Sequence, residues 1–265
     1  MLDRLSSTPS QTKRMCTLSI IPAEQGYLAG MNRDELLTRS PALPPATFHR
    51  KCMAAIHPRE PSGGTWIACN SRGNLLALLN WNEVDLRALG EKSRTRGGVI
   101  PELIYEAESS STDLRLRQMD LVGVFPFRLI GAFPEERTFV EWQWDGLRAI
   151  RFNYPWERRH WFSSSISNTR AKEVRSGVCE AAAAETTVLD EHWLRRLHRS
   201  HTPDPGPFSI CVHRPDVATL SYTEVKHHDS SVSMKYFSGN PCTREDFDAH
   251  VSLQLEPHAL RLTAE

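Results

Sequence analysis

Short apolar runs closed by turn-forming residues set the pattern along this chain. Residues 16–21, 27–31, 66–69 and 75–79 are aliphatic and aromatic stretches of strand length, which predicts strands. The last two flank Asn70-Ser71-Arg72-Gly73, and Asn and Gly tolerate the positive φ of a tight turn, so this pair reads as a hairpin. Val99, Ile100, Leu103, Ile104 and Ala107 share one helical face, so one helix is predicted between Gly97 and Glu108, with a break at Ser109-Ser110-Ser111. A second hairpin follows: residues 138–144 are β-branched and aromatic, Asp145-Gly146 turns the chain, and residues 147–152 return. Residues 169–184 and 190–199 carry helix formers, with Asn168 and Asp190 as N-caps, and residues 208–213, 219–225 and 232–237 read as closing strands.

The resulting order is strands, helices, strands, helices, strands. Antiparallel hairpins interrupted by grouped helices predict an α+β fold with helices on the faces of sheets, and no strand, Gly-rich turn, helix unit of the dinucleotide-binding kind is present. Residues 1–14 are polar and aperiodic, and are expected to be a disordered leader or the product of a misassigned start. Residues 15–265 are expected to form a single domain.

Composition removes several classes. The 265 residues carry 32 Lys plus Arg against 32 Asp plus Glu, so the basic footprint of a nucleic-acid binder is missing. No run approaches the ~20 apolar residues that span a bilayer, and the N-terminus lacks the apolar core of a secretory signal, so a cytoplasmic location is expected. The six cysteines contain no C-x-x-C pair and are expected to be reduced thiols, forming neither a disulfide scaffold nor a zinc site.

Candidate chemistry begins at Met15-Cys16-Thr17. If translation starts at Met15, or a leader is cut there, loss of Met15 places a thiol and a free α-amine on one residue, and the amine can serve as base for its own side chain. By spacing alone an inert, buried strand cysteine is the commoner outcome. Asn32-Arg33-Asp34-Glu35 could orient a substrate and hold that amine, or be a solvated strand-end turn. Asn80, in Asn80-Trp81-Asn82-Glu83, could donate to an oxyanion or simply form a turn. The eleven histidines invite a metal reading at His198 with His201 and at His227-His228, but H-E-x-x-H is absent and Pro203, Pro205 and Gly206 end any helix there, so no metal is expected. Ser163-Ser164-Ser165 lacks the G-x-S-x-G elbow of a serine hydrolase.

Taken together, Met15-Cys16-Thr17-Leu18, Asn32-Arg33-Asp34-Glu35, Arg39 with Pro41, Gly63-Gly64-Thr65-Trp66-Ile67, Gly73 and Leu79-Asn80 resemble the NRDE family, also called the transport and Golgi organisation protein 2 family. Residues 200–216 resemble the closing region of bacterial members, so the likeness runs from about Met15 to about Cys242. It implies an N-terminal nucleophile hydrolase-like sandwich, four layers ordered αββα. By comparison with the related choloylglycine hydrolases, it implies Cys16 as nucleophile, Arg33 and Asp34 as the Arg and Asp that follow the first hairpin, and Asn80 as the amide at a later strand end. Asn32, Trp66, Trp81, Ser164 and His201 are the substrate-binding candidates. A second Asn expected near residue 164 is here Ser164, and Arg199 and Arg214 are the nearby candidates for a late catalytic Arg. The implied activity is hydrolysis of a small-molecule amide at a non-peptide C–N bond, without a cofactor. The alternative is a non-catalytic haem or lipid carrier using the same cleft, with His201 or Cys16 as axial ligand and Trp66, Trp81 and Trp161 as apolar lining.

Overall fold

The structure, a computed structural model, describes residues 15–50, 52–84 and 94–255. The expected leader, residues 1–14, lies outside the described residues. In chain order the elements are β1 (Met15–Ala23), β2 (Gly26–Leu36), β3 (Leu43–Arg50), β4 (Met53–Arg59), β5 (Ile67–Asn70), β6 (Leu75–Asn80), α1 (Val99–Leu103), α2 (Ser109–Gln118), β7 (Phe127–Phe133), β8 (Thr138–Trp144), β9 (Ala149–Pro155), β10 (Arg159–Ser163), α3 (Asn168–Ala184), α4 (Glu191–His198), β11 (Val217–His228), β12 (Ser231–Ser238) and β13 (Ala249–Gln254). One sheet has the order β10-β1-β2-β11-β12-β13, the other β3-β4-β5-β6-β7-β8-β9, and every named pairing is antiparallel.

Successive strand side chains point to opposite faces, and here both faces of the central strands are covered, so β1, β2, β5 and β6 are buried on nearly every residue rather than on alternate ones. Cys16, Leu18, Ile20, Ala29 and Met31 of the first sheet meet Ile67, Cys69, Leu75, Ala77 and Leu79 of the second in a core between the sheets. The alternate residues of β6, Leu76 and Leu78, face outward against Val99, Ile100 and Leu103 of α1 and Leu116 of α2. Ile21, Leu28 and Phe162 on the outer face of the first sheet meet Cys179 of α3 and Trp193, Leu194 and Leu197 of α4. The architecture is the expected α+β sandwich, αββα. Among the described residues no helix is long and apolar enough to cross a membrane.

Several elements differ from expectation for identifiable reasons. The helix placed over residues 97–108 is a 3-10 turn at Arg96–Gly98 followed by the short α1. Ser109-Ser110-Ser111 is not a break but the first turn of α2, closed by a capping box between Glu108 and Ser111; serines that favour helix starts read as loop without that partner. The N-cap of α3 is Ser167, whose side chain accepts the Arg170 N–H, while Asp190 caps α4 as expected. Residues 208–213 form no strand beyond an isolated bridge from His213 to Ala218. The sequence pattern also gives no warning of β3, β4, β7, β10 or β13. In β3, Pro44 and Pro45 coincide with a register break, which an edge strand tolerates because one side of its backbone has no partner to donate to.

Candidate functional site

The Asn32-Arg33-Asp34-Glu35 motif lies inside β2, not in a turn after it, and all four side chains are buried. The pleat divides their work. Arg33 stands opposite Cys16 on β1. Its guanidinium donates to Glu35 at 3.1 Å and to Glu60 at 2.6 Å and lies 4.3 Å over the Trp66 ring, while Arg39 also pairs with Glu60. Two arginines and two glutamates thus hold one cation against the cleft in a fixed orientation. On the other face, Asn32 donates to the carbonyls of His198 at 2.8 Å and Ile210 at 2.9 Å and fastens β2 to the helical layer. Asn32 was expected to bind substrate; the pleat turns it away from the cleft, and it is a structural residue.

Cys16 sits near the start of β1, and its backbone N–H donates to Ser163 Oγ at 2.9 Å across the β1–β10 pairing. Burial pushes its thiol up to about 12, and the neighbouring Asp34 carboxylate adds to the rise. Asp34 Oδ1 accepts from Thr219 at 2.6 Å, whereas Oδ2 is buried with no hydrogen-bond partner among the described residues. Burial raises this carboxyl to about 7, opposed by Arg175. Arg175, from α3, is fully buried with Nη2 4.0 Å from Asp34 Oδ2, Nη1 3.0 Å from Thr17 Oγ1, and further bonds to the Ser163, Pro207 and Phe208 carbonyls.

The second sheet and its connections close the cleft. Cys16, Arg33, Asp34 and Glu35 face Glu60, Thr65, Trp66, Asn80, Arg96 and Gly97. Asn80, at the end of β6, accepts from Arg96, which fixes its amide. The Gly63-Gly64-Thr65-Trp66 stretch is explained by close approach: the Thr65 N–H donates to the Gly97 carbonyl, and a Cβ on Gly64 would lie 2.8 Å from Gly97 Cα. These two glycines set the width of the cleft wall beside Arg96.

Cys16, Arg33, Asp34, Asn80 and Trp66 therefore come together as the motifs suggested, and the other nominations disperse. Trp81 lines a different, larger cleft with Trp161, Glu141, Arg128 and His160, so the three tryptophans of the carrier reading do not share one pocket. Ser164 Oγ accepts the Ile166 and Ser167 N–H groups; the serine at Cys16 is its neighbour Ser163, because register places Ser163 opposite Cys16. Arg199 pairs with Glu245 and Arg214 with Asp216, so neither reaches Cys16, and the arginine that stands near it is Arg175. A signal was present: Ala171, Arg175 and Cys179 recur at a spacing of four on one helical face, and a charge on an apolar face needs a buried partner. His201 lines neither cleft; it stands beside Cys211, His213 and Cys242, a group able to hold a metal that no short-range spacing announces. A separate buried chain runs from Asn32 through His198 and Ser19 to His160.

A family model described as Transport and Golgi organisation 2 matches residues 15–196. No curated protein matches the sequence. Among solved structures, the chain is similar to a cysteine-to-alanine mutant of conjugated bile acid hydrolase from Clostridium perfringens, at 8% identity over 91% of this chain and 92% of that one, with a TM-score of 0.54. An arginine-to-leucine variant of conjugated bile acid hydrolase from Clostridium perfringens gives 0.52 at 8% identity, over 91% of this chain and 97% of that one. Penicillin V acylase from Agrobacterium tumefaciens gives 0.48 at 8% identity, over 84% and 86%. At this identity the bile acid hydrolase likeness shows a shared fold.

Proposed function

This chain belongs to the Transport and Golgi organisation 2 family and has an N-terminal nucleophile hydrolase fold, and on that premise we propose that it hydrolyses small-molecule amides at a non-peptide C–N bond through Cys16. One observation carries the reading. Beside Cys16, in a cleft that also holds the Arg33 cation, two acceptors are available to an amine: Ser163 Oγ, already on the Cys16 nitrogen, and the buried Asp34 Oδ2, which takes part in no hydrogen bond among the described residues and faces Arg175 at 4.0 Å. A peptide N–H uses only the first. A free α-ammonium at residue 16 has three donors and would use both, and it would relieve the cost of an ionised Asp34 in the interior.

The chemistry follows from the thiol. With its ionisation pushed up to about 12, Cys16 exists as thiolate in roughly one molecule in 10⁴ at pH 8, so a base must take its proton as it attacks. A free α-amine, with an ordinary pKa of ~7.7–8.0, is that base. Sulfur adds to the amide carbon and the proton passes to the amine. The oxyanion meets the Asn80 amide, whose carbonyl end is held by Arg96 so that Nδ2 is the donating end. The C–N bond then breaks, the leaving amine takes the proton, and water cleaves the thioester. Arg33 is placed to pair with an anionic part of the substrate.

The test is a chain produced so that Met15 is removed, verified by intact mass, and mixed with a panel of amides that includes penicillin V and conjugated bile acids as probes. The expected result is turnover of at least one probe with an acyl adduct on Cys16, both lost in Cys16→Ala. Inertness of the Cys16-initiated chain across the panel with no adduct, or undiminished turnover by Cys16→Ala, overturns the reading.

A further inference from the structure

Away from Cys16, His201, Cys211, His213 and Cys242 each direct one donor atom to a common point, all four within 4.8 Å of one another. We propose that these residues bind a zinc ion as a structural site. Cys211 Sγ lies 3.7 Å and Cys242 Sγ 3.4 Å from the same atom, His213 Nε2, and the His201 ring stands edge-on to His213 with centroids 4.8 Å apart. Tetrahedral zinc, with Zn–S of about 2.3 Å and Zn–N of about 2.0–2.1 Å, separates sulfur from nitrogen by about 3.5 Å and sulfur from sulfur by about 3.8 Å. The two sulfur–nitrogen separations at His213 match that edge, and the whole group, within 4.8 Å, needs to close by about an ångström at its widest to reach a tetrahedron.

Hydrogen bonding explains the arrangement poorly. One imidazole nitrogen has one lone pair or one N–H, so His213 Nε2 can serve one of the two thiols, not both, and Cys211 turns besides to Cys242 and Thr219, a set of weak sulfur contacts that leaves the two imidazoles under-used. His201 Nε2 is buried with no hydrogen-bond partner among the described residues. A cation shared by two thiolates and two neutral imidazoles satisfies all four, and this soft, mixed donor set is that of zinc. With four protein ligands no position is left open for water or substrate, so the role is structural.

The surroundings hold the ligands in place. Cys211 N–H donates to the Ser200 carbonyl at 3.0 Å, Ser209 Oγ donates to the Cys211 carbonyl at 2.5 Å, and Thr243 N–H closes on the Asn240 carbonyl around Cys242. Zinc would therefore fasten the irregular segment after α4 to the turn after β12. All four ligands lie beyond residue 196, outside the stretch matched by the family model, and the site does not rest on the hydrolase reading.

The test is metal analysis of the full chain, purified without a histidine tag or chelator under reducing conditions, after exposure to zinc and separately to cobalt(II). Expected are about one equivalent of retained zinc and, with cobalt, the thiolate charge-transfer and intense visible bands of a tetrahedral site. Both are retained by Cys52→Ser, an exposed thiol, and the zinc falls below about a tenth of an equivalent in the Cys211→Ser/Cys242→Ser pair. If that pair does not fold, the wild-type cobalt spectrum decides alone. Lack of stoichiometric metal and of charge-transfer bands in the wild-type chain, bands that survive loss of both sulfurs, or a Cys211–Cys242 disulfide in metal-free native protein overturns the proposal.

Discussion

The single residue that most constrains the interior is Arg175. It is fully buried, and its ion-pair partner, the equally buried Asp34, is held 4.0 Å away rather than in a tight pair, so the two charges stabilise each other in the interior. Replacing one and not the other leaves an uncompensated charge. Arg175→Met is therefore expected to cost about 3–5 kcal/mol, and Asp34→Asn added to it is expected to recover part of that loss. Urea unfolding of the two singles and the double closes the cycle; additive losses would show that the charges do not interact. Cys16, Arg33, Asp34 and Asn80 could be nominated from the sequence because each sits in a compact motif that resembles a known family; from spacing alone the inert reading of each is the commoner. Ser163 and Arg175 were not, because their partners lie 147 and 158 residues away and only strand register and helix docking bring them in.

At the scale of the element, β2 shows why a four-residue motif can mix polar roles. Alternation sends Arg33 and Glu35 toward Glu60 and Asn32 toward the helical layer, while the Asp34 carboxyl reaches the cleft from between Thr219 and Arg175, so one strand supplies both a cleft cation and the bolts that hold the strand. Charge density made the motif read as a strand end, since a fully buried strand normally excludes it; the compensating partners, Glu60, Thr219 and Arg175, come from elsewhere. The Gly64–Gly97 contact makes a second prediction. Gly64→Ala inserts a methyl 2.8 Å from a Cα of backbone that cannot step aside, and is expected to cost about 1–3 kcal/mol and to displace the Arg96–Gly97 wall. Thermal unfolding checks the first part. For the second, under the proposed activity KM for a responsive amide probe should rise; an unchanged melting temperature and KM would mean the wall is soft.

For the whole molecule, the alternation of strand groups and helix groups was enough to read sheets with helices on their faces, and the four-layer order came from the family resemblance; edge strands such as β3 escaped because prolines and charges, which protect an edge, also erase strand periodicity. The global charge balance has a consequence for pH. Burial holds His198 at about 3 and His160 at about 4, both below the ordinary 6.5, so each stays neutral in the native state while the unfolded chain takes up a proton below 6.5. Each then contributes stability that is lost as pH falls below 6.5. Asp34, raised to about 7, is protonated in the native state over the same range and acts in the opposite sense. These three groups alone, two protons gained against one released, leave a net loss of about 1 kcal/mol per pH unit between pH 6 and 5, and His57 and His213, also held below 6.5 by burial, act in the same sense. Urea midpoints at pH 6.5, 5.5 and 5.0 should fall in that order; a flat or rising series would show that the histidines are hydrated. Finally, Met15 is wholly buried against Val212 and Val217, with its strand flanked by partners on both sides. An enzyme that cuts the bond before Cys16 must draw an extended chain into its own groove, and the finished sandwich offers none there. On the proposed mechanism, maturation would thus be a matter of timing: the bond before Cys16 is accessible on a nascent chain and sealed once β11 docks, so the interval between synthesis and closure would decide which molecules carry a free amine.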